Sequence, residues 1–193
     1  MQKLLHRTVE RSAVADQTGL VASPDLVTHC FECGGRVERK TNQRYRYLES
    51  GLRNVWLEGI TVYECRRYRD RFPEIRNIRK LHSLIAAAIT EKRSALTGSE
   101  FRFLRKHMRL KAKDLAAVLG VTLTTISRWE TGAERIGPAN DRLMRCLYLF
   151  WRLEQREPFD STQVFERLHT QFKDLGARPR VNQITIKANG LTS

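Results

Sequence analysis

The chain has 193 residues, with 35 Lys and Arg against 21 Asp and Glu, for a formal net charge of +14. At 41% hydrophobic and 29% charged it has the composition of a folded globular protein, which excludes intrinsic disorder. The cationic surplus favours a polyanionic partner, because neutralising phosphates releases condensed counterions. Charge alone does not separate a DNA-binding protein from a ribosome-associated or merely basic one.

Residues 1–25 read as a polar leader with a weak helical pattern that ends at Ser23-Pro24-Asp25. They hold no continuous apolar core, so a secretory signal is not expected. The longest apolar run, Leu84 to Ile89, is far too short to span a membrane. Four cysteines, two of them as Cys-x-x-Cys, fit a reducing cytoplasm and a metal site better than a disulfide framework. The expected location is therefore cytoplasmic, on the nucleoid.

Residues 26–72 form a cysteine lobe. Tyr45, Tyr47, Val55, Leu57, Ile60, Val62 and Tyr63 give short β-type alternations, with turn signals at Glu49-Ser50-Gly51 and Glu58-Gly59. Cys30-Phe31-Glu32-Cys33-Gly34-Gly35 is half of a zinc knuckle: two thiolates three apart can share one tetrahedral ion, and the glycines let the chain turn tightly around the sulfurs. Cys65 stands where a second pair would begin, but Cys65-Arg66-Arg67-Tyr68 puts a tyrosine at the fourth position. A phenol is a poor zinc ligand at neutral pH, since it ionises only near pKa ~10. Cys30, Cys33 and Cys65 are thus the expected metal ligands. Three readings stay open: zinc completed by His29, Glu64 or His82, a metal-free relic, or a weakly binding sensor.

Residues 73–94 read as a connecting helix opened by Pro73, with Ile75, Ile78, Leu81, Leu84, Ile85 and Ile89 at helical spacing. Residues 95–155 divide into four helices. Thr97-Gly98-Ser99-Glu100 is a capping box, and Phe101, Leu104 and Met108 form the stripe behind it. A second helix starts near Lys111 and ends at Gly120, a residue suited to a left-handed C-cap. Thr122 caps the third, in which Ile126 and Trp129 face inward together while Leu123, Thr124, Thr125, Ser127, Arg128 and Thr131 face out. Gly132 ends it. Gly137-Pro138 opens the fourth, with Leu143, Cys146, Leu147 and Phe150 as the expected buried stripe. A short helix that presents hydroxyls and an arginine suits a major groove: Arg128 can pair with guanine O6 and N7, Thr124 with a base edge, Leu123 with a thymine methyl.

The motifs from Lys113-Asp114-Leu115-Ala116 to Trp129-Glu130-Thr131-Gly132 resemble the lambda-repressor-like (Xre family) helix-turn-helix. The resemblance implies that Leu123, Thr124 and Arg128 lie at base edges and Thr131 near the phosphates. Family members often open the second helix with Ser-Gln; Lys111-Ala112 stands there, and Lys111 and Lys113 can supply phosphate contacts instead. The cysteine lobe, joined to this unit by a helix, is similar to MqsA-like antitoxins and related zinc-finger/helix-turn-helix regulators. That resemblance implies a structural zinc on Cys30, Cys33 and Cys65, with Tyr68 departing from the pattern.

In residues 156–193, Val164, Phe165, Leu168 and Phe172 recur at helical spacing, and Val181 to Lys187 reads as a terminal strand. The expected fold is α+β, a small β-rich lobe followed by an all-α helix-turn-helix. The expected function is a sequence-specific regulator of transcription, a repressor, acting as a homodimer on double-stranded DNA. The alternative is an antitoxin that binds a toxin through its N-terminal lobe and represses its own operon. Charge speaks mildly against that partner, because a basic chain repels basic toxins. RNA stacking on Tyr45 and Tyr47 is a weaker alternative. No enzyme is expected, since no nucleophile triad, phosphate loop or carboxylate pair can be read. Cys146 is expected in the core, Glu130 as a brace to a neighbouring helix, and His6, His107 and His169 at the surface or in caps. The basic runs Arg66–Arg71 and Arg76–Lys80 are candidate phosphate grips.

Overall fold

The computed structural model describes residues 27–155, 166 and 180–191. The polar leader and the stripe Val164–Phe172 lie outside them, as do His6 and His169. The fold is α+β, as the sequence implies. Strand β1 (Val37–Arg46) pairs antiparallel with β2 (Val55–Cys65), and the turn between them closes on Gly51 at φ 77°. The far edge of β2 is shared. Strand β3 (Arg71–Pro73) pairs antiparallel with its C-terminal part, and β4 (Ile184–Lys187) runs parallel to its first four residues.

Two expectations change here. Glu58-Gly59 is no turn between strands: Gly59, at φ 74°, lies inside β2 opposite an irregular stretch of β1 where Asn42 is also left-handed at φ 52°. Such an irregularity bends a strand without ending it. Pro73 ends β3 rather than opening a helix, and α1 (Ile78–Glu91) starts after Asn77, whose side chain accepts from the Lys80 amide.

Four more helices follow: α2 (Gly98–His107), α3 (Ala112–Leu119), α4 (Leu123–Thr131) and α5 (Pro138–Glu154). Their punctuation is that of the sequence. Thr97 and Glu100 form the reciprocal capping box, Gly120 and Gly132 close α3 and α4 at φ 65° and 78°, and Thr122 accepts from the Thr125 amide. Alternation along β2, shifted by one residue at Gly59, turns Val55, Leu57, Ile60 and Val62 into the same buried cluster as Leu81, Ile85 and Ile89 of α1. The same buried cluster continues into Phe101, Leu104, Leu115, Ile126 and Trp129, so the sheet and the helices share one core. Fully burying such a side chain stabilises the fold by roughly 1.5–3 kcal/mol.

The buried face of α5 is not the expected one. Leu143 and Phe150 are 41% and 65% exposed, and Cys146 and Leu147 are half-buried. Asp141, Met144, Arg145 and Tyr148 face the core instead, all fully buried. A charged pair that satisfies itself can occupy core positions which hydrophobic counting assigns to leucine.

Candidate nucleic-acid interface and thiol cluster

Helix α4 is held from behind. Trp129 meets Phe101 of α2 edge-on, with ring centroids 5.7 Å apart, and Ile126 is fully buried. Glu130 braces α2 as expected: Arg105 donates to both carboxylate oxygens, at 2.5 and 3.0 Å, and a further nitrogen donates to the Leu110 carbonyl. That bidentate geometry fixes the rotation of α4 about its axis. The opposite face is open. Leu123 is 54% exposed, and Thr124, Ser127, Arg128 and Thr131 are exposed beside it.

Two of the expected contact residues have competing bonds. The half-buried Thr125 hydroxyl lies 2.9 Å from that of Thr122 within the N-cap. Thr131 donates back to the Ser127 and Arg128 carbonyls. Arg128 lies 3.9 Å from Glu134, with both side chains largely in solvent. On α3, Lys111 is the N-cap residue and makes no side-chain cap bond; it and Lys113 are both exposed. Arg135, exposed in the turn after α4, escaped the sequence reading because it lies outside the helical motif.

Residues 101–146 match the helix-turn-helix family. Neither the curated proteins nor the solved structures yield a match to the chain. The matched segment runs from α2 into α5, with α4 in the place of the reading helix, and it points to a DNA-binding transcriptional regulator. Among the described residues no helix is long and apolar enough to cross a membrane.

The second candidate site lies at one end of the sheet. The sulfurs of Cys30, Cys33 and Cys65 all lie within 4.8 Å of one another, and those of Cys33 and Cys65 are 3.6 Å apart. Around tetrahedral zinc, sulfurs at ~2.3 Å from the ion are ~3.8 Å from each other, so the cluster has the right size for one ion. Main-chain amides point at the sulfurs. Those of Tyr68 and Arg67 donate to Cys65 and, against the opposing effect of burial, hold its thiol below the ordinary value. The Gly35 amide donates to Cys33 at 3.4 Å, but burial and the neighbouring thiols outweigh it and the Cys33 thiol is raised. A Cβ on Gly35 would stand 3.2 Å from the Cys33 sulfur, which is why glycine suits that position.

None of the three suggested fourth ligands joins the cluster. His29 is exposed and bonds Thr28, and Glu64 is ion-paired with Lys40 and Arg69 at 2.9 Å each. His82 bonds the Tyr47 hydroxyl at 3.0 Å, and among the described residues only the three cysteines come together.

Other expectations also shift. His107 is half-buried among Phe103, Tyr148 and Trp151 rather than on the surface. Tyr45 is half-buried with its hydroxyl donating to Glu49, and Tyr47 is buried in the core and presents no ring to a base. Trp56 on β2 is half-buried, with the Arg44 guanidinium 4.4 Å above its ring and that of Arg46 at 5.9 Å.

Proposed function

We propose that this protein is a sequence-specific transcriptional repressor that reads the major groove with α4. The observation that carries the reading is the outward face of α4, where Leu123, Thr124, Ser127 and Arg128 stand free of the core on a helix braced by Glu130. Arg128 pairs with guanine, Thr124 and Ser127 reach base edges, and Leu123 meets a thymine methyl. Thr125 and Thr131 sit at the margins of that face. Lys111 and Lys113 at the start of α3 grip the backbone and set the docking register. One such helix reads only a few base pairs, so a homodimer on a two-fold operator supplies the rest of the specificity. Cys30, Cys33 and Cys65 hold a zinc ion that fixes the end of the sheet. Zinc there would tie the segment before β1 to the end of β2, and its role is structural.

The test is a titration into a labelled duplex from the upstream region of its own gene and into a scrambled duplex, at several salt concentrations. Tight binding to the native duplex alone, lost in Arg128→Ala, is the expected result. Equal and steeply salt-dependent binding to both duplexes would reduce the protein to a non-specific phosphate binder.

A further inference from the structure

The chain turns around the thiol cluster twice, and the two turns are copies of each other. In the first, the Gly34 amide donates to the Cys30 carbonyl at 2.8 Å and the Cys30 amide donates to the Gly35 carbonyl at 2.7 Å. In the second, the Arg69 amide donates to the Cys65 carbonyl at 2.9 Å and the Cys65 amide donates to the Asp70 carbonyl at 2.8 Å. The residue after the pair is left-handed in both, Gly34 at φ 65° and Arg69 at φ 61°. A non-glycine residue there is uncommon and is held only where the surroundings require it. The Arg66 amide also donates to the Arg36 carbonyl at 3.3 Å, which ties the turns together. In this repeat Tyr68 occupies the place of Cys33, and Asp70 that of Gly35.

We infer that Cys30, Cys33 and Cys65 form a three-thiolate site for a thiophilic divalent cation, whose fourth coordination position is left to a small donor from solution, a water or a free thiol. The inference rests on reading the cluster as a metal site. Both knuckles are built as for four sulfurs, and one sulfur is missing. Tyr68 does not replace it, because its side chain is 57% exposed and lies against the Arg67 guanidinium at 5.4 Å. At Gly35 a Cβ would press on the Cys33 sulfur at 3.2 Å, whereas the matching position of the second knuckle, where residue 68 bears no sulfur, holds Asp70. On binding, each thiol releases its proton to solvent and becomes a thiolate. Three thiolates leave a divalent ion with one net negative charge, which Arg36, Arg66 and Arg67 around the knuckles offset. An ion held by three protein ligands keeps an open position and exchanges more readily than one closed in by four.

Cobalt(II), a spectroscopic stand-in for zinc, tests this on the full chain. The wild type is expected to bind one cobalt with the visible spectrum of a three-sulfur tetrahedral centre, and that spectrum should move toward a four-sulfur one when 2-mercaptoethanol is added. Tyr68→Phe should leave it unchanged. Tyr68→Cys with Asp70→Gly, which reproduces the first knuckle, should show the four-sulfur spectrum without added thiol and bind at least about tenfold tighter. Circular dichroism checks that each variant is folded; if the double variant is not, the thiol response of the wild type and of Tyr68→Phe decides. A wild-type spectrum indifferent to the thiol, or altered in Tyr68→Phe, would overturn the open position and leave the metal reading standing. Absence of cobalt binding by the wild type would overturn the metal reading itself. The DNA titration is independent of all these outcomes.

Discussion

Asp141 and Arg145, one turn apart on α5, form an ion pair from which water is fully excluded: Nε donates to Oδ1 at 2.7 Å and neither side chain has exposed surface. The guanidinium then gathers the carbonyls that end α1, those of Thr90 at 2.6 Å, Lys92 at 2.8 Å and Ser94 at 2.9 Å, while the other Asp141 oxygen accepts the Leu96 amide. One pair therefore satisfies the turn between the connecting helix and the helix-turn-helix. Removing one member leaves a buried charge without its partner, at roughly 3–5 kcal/mol. Arg145→Met and Asp141→Leu should each lower stability by that order in urea unfolding. The double variant should lose less than the sum of the two, because neither charge is then stranded.

Gly98 opens α2 where it crosses the end of α4. A Cβ there would lie 2.0 Å from the Trp129 carbonyl oxygen and 3.1 Å from the Glu130 backbone, and a main-chain clash cannot be relieved by a rotamer change. Gly98→Ala should destabilise the protein by about 1–3 kcal/mol or more, measured as a lower urea midpoint. Ser99→Ala, one residue on, should stay within about 0.5 kcal/mol of wild type.

The fold's broad order was legible because punctuation and periodicity agree along α2 to α4, from the Thr97 box to Gly132. The α5 face was not, since Asp141 and Arg145 read as solvent-facing until the carbonyls they serve are seen. The thiol cluster was legible from Cys-x-x-Cys and Cys65. That none of His29, Glu64 and His82 joins the three sulfurs was not, because they are near in sequence or in plausible reach, yet each is engaged elsewhere. The repeat of the knuckle was hidden as well: nothing in Arg69-Asp70 resembles Gly34-Gly35 until the backbone is compared.

Glu134 stands 3.9 Å from Arg128, beside the proposed reading face of α4. If α4 reads the groove as proposed, this carboxylate competes with the base for Arg128 and adds a negative charge close to the phosphates. Glu134→Gln should tighten DNA binding a few-fold. Lys111→Ala and Lys113→Ala should weaken binding to native and scrambled duplexes alike, each lowering the slope of log affinity on log salt by about 1. Gel-shift titrations at several salt concentrations read both effects.

Lys92 donates to Glu100 at 2.6 Å and to the Arg180 carbonyl at 3.1 Å, with only 6% of its side chain exposed. Burial outweighs the attraction of Glu100 and holds its ammonium below the ordinary value of 10.5. In the window just below 10.5 the unfolded chain then binds more protons at this residue than the folded one does. Stability from Lys92 should therefore rise as pH rises through that window. Comparing urea unfolding of wild type and Lys92→Met at several alkaline pH values should show this rising component in the wild type alone.

The parallel pairing of β4 with β2 has a consequence for how the molecule is made. Ile184 lies beside Val55, and the Asn54 side chain donates to the Asn182 carbonyl across 128 positions of chain. Contacts that distant close late, since the entropy of bringing the two segments together must be met before they yield anything. The β1–β2 hairpin can form as soon as it leaves the ribosome, but four of the eleven β2 residues wait on one edge until Ile184–Lys187 has left it too. During that interval the nascent sheet carries an unpaired edge beside Val55 and Leu57, the kind of edge that recruits other chains. Docking of β4 on β2, once it has left the ribosome, is thus the step that retires this edge as an aggregation hazard.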